Sequence, residues 1–255
     1  MTEDVVRLEG VLRWRRNGAS VFAVRIDALA LAAGGTYAAA GPSGCGKSTL
    51  LDLLALALRP DRAGRFELRE RGGGRLIDIA VAWQSGNDEL LGAIRRRQIG
   101  YVTQTGGLLP FLSVHDNIAL PARLNRIEIA DRIESLAGRL GIADQLAKRP
   151  ADLSVGQRQR AAIARALIHH PVLVLADEPT AALDPEAAET VMTLLVEEAR
   201  RTRATLVVAT HDVARTRRHG LVPIGFTAVR IGDAPGSAVA MPDIPAEPMA
   251  AGAVP

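Results

Sequence analysis

Gly41-Pro42-Ser43-Gly44-Cys45-Gly46-Lys47-Ser48-Thr49 is the stretch on which the reading of this chain turns. It has the form G-x-x-x-x-G-K-S, the pattern of a phosphate-cradling P-loop. That pattern is meaningful only between a strand and a helix, and both flanks qualify. Thr36 to Ala40 is short and apolar, as a buried strand requires, and Leu50 to Leu58 is rich in Leu and Ala, as a helix prefers. The glycines let backbone N–H groups turn towards an anion with no Cβ in the way. The N-terminus of the following helix adds its positive end at the same spot. Lys47 supplies a mobile cation for the outer phosphates of a nucleotide, and Ser48 a hydroxyl for Mg2+. The bland reading is a glycine turn that merely joins two elements, and the strand–turn–helix context argues against it.

The bulk properties agree with a folded globular protein. The chain has 255 residues, of which 48% are apolar and 23% charged, enough to bury a full core. No run of eighteen apolar residues occurs, so no spanning helix is expected. The first seven residues carry Glu3 and Asp4 and lack a signal-peptide core, which points to the cytoplasm. The lone Cys45 excludes an intrachain disulfide and fits a reducing compartment. Net charge is only +3 and aromatic residues are 3% of the chain, so neither a basic stripe nor a base-stacking surface is indicated and no nucleic acid is expected as partner.

Upstream of the P-loop, Val5 to Trp14 reads as a first strand. Val21 to Leu31 reads as a second and third with a bend between, joined to the first by the turn chemistry of Arg15-Arg16-Asn17-Gly18. Trp14 either caps the core or stacks on an adenine ring, with Phe22 as a spare candidate. Downstream, Phe66 to Leu68 and Arg75 to Trp83 read as strands of a peripheral antiparallel layer, and Asp88 to Arg97 as a short helix. Ile99 to Thr103 is strand-like and delivers Gln104. The segment Gly106 to Leu112 is both flexible and apolar, so it either invites a partner or folds back on its own core. Ser113 to Leu140 reads as mostly helical, capped by Ser113 and broken at Pro121 and near Arg126.

Leu153-Ser154-Val155-Gly156-Gln157 introduces a strong helix, Arg158 to His169, whose N-terminus is a second anion-ready site. Val172 to Ala176 is a continuous apolar run, as expected of a parallel strand covered on both faces, and places Asp177 and Glu178 at its carboxyl end. Ala182-Leu183-Asp184-Pro185 leads into an amphipathic helix, Glu186 to Arg201. Thr205 to Ala209 is another buried strand, ending at Thr210-His211-Asp212. Leu221 to Ile231 is strand-like, and the Ala-, Pro- and Gly-rich stretch 232–255 is expected to be a disordered or loosely attached tail.

In this order the motifs resemble the nucleotide-binding subunit of an ABC transporter over about residues 5 to 230. Gly41 to Thr49 looks like Walker A, Gln104 like the Q-loop glutamine, Leu153 to Gln157 like the LSGGQ signature, and Val172 to Glu178 like Walker B with its glutamate. Ala182 to Pro185 looks like the D-loop and His211 like the switch histidine. The short chain and Ile99 to Pro121 look like the lipoprotein-release and macrolide-export type. Val155 in place of the first signature glycine, Leu56-Ala57 in place of the usual glycine, and the Arg-rich stretch Val213 to Gly220 depart from the pattern.

The resemblance implies an α/β fold, a P-loop NTPase of ABC type. It would have a mixed core sheet, a peripheral antiparallel β layer and a helical subdomain at about 113–168, all within 1–231. It implies an ATP hydrolase in which Gly41, Pro42, Ser43, Gly44, Cys45, Gly46, Lys47, Ser48 and Thr49 hold ATP and Trp14 stacks on adenine. Ser48 and Gln104 would bind Mg2+ with Asp177 behind, Glu178 would polarise water, and His211 would read the γ-phosphate. Ser154, Gly156 and Gln157 would close the site of a second ATPase subunit, most simply an identical chain, with Asp184 linking the two sites. The Gln104–Leu112 region would meet an integral membrane permease, placing the protein on the inner face of the cell membrane. The alternative is a soluble ABC-type ATPase acting on nucleic acid or ribosomes; a scaffold without hydrolysis would lack Glu178 or His211.

Overall fold

The computed structural model describes residues 3–17, 20–129, 131–231 and 234–241. The chain opens with a long antiparallel hairpin, β1 (Asp4–Asn17) and β2 (Ser20–Ala32), then enters β3 (Thr36–Ala40) and, past the P-loop, α1 (Lys47–Leu54). β4 (Arg65–Arg69) and β5 (Leu76–Asp78) extend the hairpin layer. α2 (Ile79–Gln84) and α3 (Asp88–Gln98) lead to β6 (Ile99–Val102). Next come α4 (Val114–Leu124), α5 (Arg132–Arg139) and α6 (Val155–Leu167). The remainder is β7 (Leu173–Asp177), α7 (Pro185–Thr202), β8 (Thr205–Thr210), α8 (Val213–Arg218), β9 (Val222–Ile231) and β10 (Ala234–Ala240).

Among the described residues these strands form one ten-stranded sheet in the order β5-β4-β1-β2-β10-β9-β3-β8-β7-β6. From β9 to β6 neighbouring strands are parallel; from β2 to β5 they are antiparallel, and the sheet is therefore mixed. Side-chain alternation splits the core into two layers. Leu173, Leu175, Val207 and Ala209 face α1 and the hairpin layer. Val174, Ala176, Leu206 and Val208 face α4, α6 and α7. The central strands are buried on both faces along most of their length, and β3, β6, β7 and β8 all open at their carboxyl ends on the same edge.

Several local expectations are corrected. β2 is one continuous strand, because all of its residues but Asp27 find a partner on β1 or β10. Arg75 to Trp83 is a strand only at Leu76–Asp78. The Asp78 side chain accepts a hydrogen bond from Val81 N at 2.9 Å and so starts α2 instead. The P-loop helix stops at Leu54, since Leu56 takes a left-handed φ of 56°. α4 runs through Pro121 for another three residues, forgoing only the bond that an N–H at 121 would give to Asn117 O.

The expected boundary at Ile231 falls inside a hairpin. Ala234–Ala240 is a strand wedged between β2 and β9, parallel to one and antiparallel to the other. Its small residues, which read as tail composition, suit that tight slot. A Cβ on Gly236 would stand 2.6 Å from Ala23 O, and Val239 is fully buried. The rest of the expected tail, 232–233 and 242–255, lies outside the described residues, as does Gly18 of the expected turn.

Candidate functional site

The P-loop is built as its glycines demand. Gly46 takes φ 102°, and a Cβ there would stand 2.7 Å from Val24 Cγ2, so no other residue fits without displacing the hairpin. Lys47 begins α1 with a side chain 8% exposed, and its Nζ donates to Gly41 O at 2.8 Å and Pro42 O at 3.0 Å. A buried ammonium whose hydrogen bonds go to its own neutral loop carbonyls keeps charge available for an anion.

β7 delivers two carboxylates with different roles. Asp177 accepts a hydrogen bond from the Ser48 hydroxyl, and burial pushes its pKa up, aided by the charges of Glu178 and Asp52 and opposed by Ser48 and Lys47. Glu178 stands in the left-handed region at φ 44°, held there by its N–H donating to Ala209 O at 2.9 Å. That conformation costs on the order of 1–2 kcal/mol for a residue with a Cβ. The reversal brings Oε1 to 3.9 Å from Lys47 Nζ, and Oε2 accepts from His211 Nδ1 at 3.0 Å. His211, at the end of β8, has a side chain 64% exposed. Gln104, exposed past the end of β6, completes the rim.

Together these residues wall a cleft of about 570 Å³ with Ser43, Gly44, Gly46, Thr49 and Ala181. Its far wall comes from the hairpin. Arg15 and Phe22, paired across β1 and β2, line it, and Arg15 is fixed by Thr49 Oγ1 at 3.3 Å and Asp52 Oδ2 at 2.8 Å. Arg15 was not singled out from sequence: it was expected in the turn after Trp14, but β1 runs on to Asn17 and its pairing with β2 turns Arg15 to the cleft. Trp14 is not in this cleft. It lines an adjoining hollow of about 690 Å³ that shares Arg15, while its backbone N–H donates to Asp61 at 2.7 Å. Gly41, Pro42, Cys45 and Asp177 are not among the residues that line the cleft, although Gly41 and Pro42 hold Lys47 and Asp177 meets Ser48.

The signature residues stand elsewhere. Ser154 Oγ accepts from Gln157 N at 3.2 Å while Gln157 Oε1 accepts from Ser154 N at 2.9 Å, a reciprocal box that starts α6. Ser154 and Val155 are exposed, and none of Ser154, Gly156 and Gln157 touches this chain's own cleft. Asp184 likewise caps α7, accepting from Ala187 N at 2.9 Å. The apolar loop after Gln104 is pinned rather than loose. Arg165 donates to Gly106 O and Gly107 O, and buried Asn117 bonds both backbone groups of Leu109, leaving Phe111 66% exposed.

The donor set fits a magnesium nucleotide. Ser48 and Asp177 offer a hydroxyl and a carboxylate, hard oxygens of the kind Mg2+ takes, and among the described residues no group of three or more acidic, His or Cys side chains would hold a metal alone. A cation so sparsely served by protein expects phosphate oxygens as its other ligands.

Such a cleft answers a triphosphate, and a carboxylate set between lysine and histidine at its edge gives water a place to be activated; the class is that of P-loop nucleotide hydrolases. A family model described as "ABC transporter" matches residues 25–181, and the chain belongs to that family. It is 40% identical over 216 residues to the lipoprotein-releasing system ATP-binding protein LolD of Maricaulis maris (strain MCS10), a match covering 83% of this chain and 90% of that one. It also superposes on a dimeric structure of MJ0796, a bacterial ABC transporter cassette. The TM-score is 0.71 and the identity 29%, covering 86% of this chain and 93% of that one. A post-hydrolysis dimer of the same cassette bound to ADP and Pi matches with a TM-score of 0.69 at 31% identity, covering 86% and 93%. The protein is thus an ATP-binding, ATP-hydrolysing subunit of an ABC transporter, with ATP and Mg2+ as its ligands.

Proposed function

We propose that this chain hydrolyses ATP as one half of a pair of cassettes, most simply identical, and that the pair drives an integral membrane permease in release or export of a substrate. The likeness to a lipoprotein-releasing ATP-binding protein supports that direction. Backbone amides of Gly44 to Thr49 and the Lys47 ammonium hold the β- and γ-phosphates. Ser48 and Gln104, with Asp177 behind, would hold Mg2+, which when bound would supply charge neutralisation. Glu178 orients the attacking water; full proton abstraction is not required, because phosphoryl transfer rests on positioning and charge stabilisation. His211 leaves Glu178 to contact the γ-phosphate. The adenine reaches past Arg15 to Trp14.

Exposure of the Ser154 cap, away from its own cleft, supports closure of the partner's site in trans by Ser154, Gly156 and Gln157, with Asp184 at the junction. The helical part, about 113–168, carries that signature. A groove of about 540 Å³ between α3, β6 and α4, walled by Tyr101, Leu109, Leu120, Pro121 and Leu124, adjoins the pinned loop and supports a permease contact there. Contact with the permease holds the protein on the inner face of the cell membrane.

The observation that carries this reading is the left-handed Glu178 set between Lys47 and His211. Glu178→Gln tests it. ATP affinity is expected to stay within about twofold, turnover to fall by on the order of a hundredfold or more, and an ATP-bound dimer to accumulate in size-exclusion chromatography. Normal turnover in that variant removes Glu178 from the mechanism.

A further inference from the structure

We infer that Arg215 is a positioning residue for the switch histidine, clamping the His211 loop to the turn that follows Glu178. The inference rests on the roles proposed above for those two residues.

α8 starts directly after His211-Asp212 and carries Arg215, Arg217 and Arg218, in the stretch whose arginine content departs from the family pattern. Arg215 is withdrawn from solvent: its side chain is 11% exposed, against 61% for Arg218. A guanidinium held that way needs partners, and it finds them on three segments. Nη1 lies 2.9 Å from Asp212 Oδ2 on its own loop. Nε donates to Glu189 Oε2 on α7 at 3.3 Å, and Nη1 also donates to Thr180 Oγ1 at 3.4 Å.

Each partner is itself fixed. Asp212 accepts from Arg215 N at 2.9 Å, capping α8, and its N–H donates to Thr210 Oγ1 at 3.1 Å. Thr180 is 6% exposed and sits two residues past Glu178, in a turn closed by Ala181 N donating to Glu178 O at 3.2 Å. Glu189 Oε2 also accepts from Arg218 Nη2 at 3.0 Å, and its Oε1 lies 2.8 Å from His219 Nε2, which secures the far end of α8. The two segments are therefore tied twice, by His211–Glu178 in the cleft and by Arg215–Thr180 and Arg215–Glu189 behind it.

The front tie has to break when His211 turns to a phosphate. The rear tie does not involve the cleft, so it keeps the loop at one distance from Glu178 through that change. Lysine reproduces the charge but not the planar fork that reaches three acceptors. Arg215 touches neither substrate nor reacting atoms on this account; it acts through His211.

The test uses the full chain, steady-state Mg-ATP hydrolysis and separate measurement of ATP affinity. Arg215→Gln is expected to lower kcat about tenfold with KM for ATP within about twofold, and Arg215→Lys to recover part of the loss. In the double variant His211→Ala/Arg215→Gln, turnover is expected to be no lower than in His211→Ala alone, since both remove one function. Thr180→Val and Glu189→Gln, which each delete a single contact, are expected to give smaller losses in the same direction and serve if Arg215→Gln does not fold. The inference is overturned by an unchanged kcat in Arg215→Gln, by losses that multiply in the double variant, or by KM rising in step with the fall in kcat. Normal turnover in His211→Ala overturns instead the role assigned to His211, and with it any action through that residue.

Discussion

Leu56 and Glu178 both adopt left-handed backbone conformations, at φ 56° and 44°, for different reasons. Leu56 is fully buried, so roughly 1.5–3 kcal/mol of side-chain burial offsets its backbone strain. Glu178 gains less from burial, and its strain serves to aim a carboxylate at the cleft. Asp177 shows the same tension between stability and chemistry. Its carboxyl is raised in the folded protein, chiefly by burial, so the ionised form is a liability at every pH above the folded pKa, relieved as pH falls through it. Asp177→Asn is therefore expected to raise the thermal midpoint of the nucleotide-free protein by about 2 °C at pH 7 while Mg-ATP turnover falls at least about a hundredfold. Differential scanning fluorimetry beside a turnover assay checks both signs. Lys47, Ser48, Asp177, Glu178 and His211 were legible one by one because each ends or begins a strongly patterned segment. Arg15 and Arg215 were not, because an arginine's role is set by what it reaches across space.

Among the elements, α5 and α7 are joined by a buried carboxylate. Glu198, its side chain 4% exposed, accepts from Arg139 Nε at 2.6 Å and from Arg201 Nη2 at 2.7 Å. Burial alone would raise this carboxyl, but the two arginines outweigh it and hold it below the ordinary glutamate value. A depressed pKa stabilises the fold above the unfolded-state pKa, and that contribution is lost as pH falls through the folded value. Glu198→Gln is expected to cost about 2 kcal/mol at pH 7, less than a fully buried pair because both arginines can turn to water. It should also flatten the acid limb of the stability curve below about pH 4.5, measured by urea unfolding across pH. Helix positions were readable from periodicity and caps, as Ser113, Ser154 and Asp184 show by capping α4, α6 and α7. Within the expected strand Arg75 to Trp83, helix was mistaken for strand from Ile79 on, where a short apolar run fits both periods until the Asp78 cap is seen.

At the scale of the whole molecule, β10 joins the antiparallel layer to the parallel sheet. It pairs with β2 on one side and β9 on the other, so a chain ended at Ile231 would leave two ladders open. Such a truncation is expected to lower the thermal midpoint by at least about 10 °C, or to abolish soluble expression, against an unchanged full-length control. The sequence by itself determined the nucleotide chemistry, the order of the motifs and the buried parallel strands, because each depends on residue types a few positions apart. Only the tertiary structure decided the far wall of the cleft, the tie behind the switch histidine and the place of the small-residue strand. Those depend on contacts between segments tens to hundreds of residues apart, and local periodicity carries no record of which distant backbone a strand or guanidinium will meet.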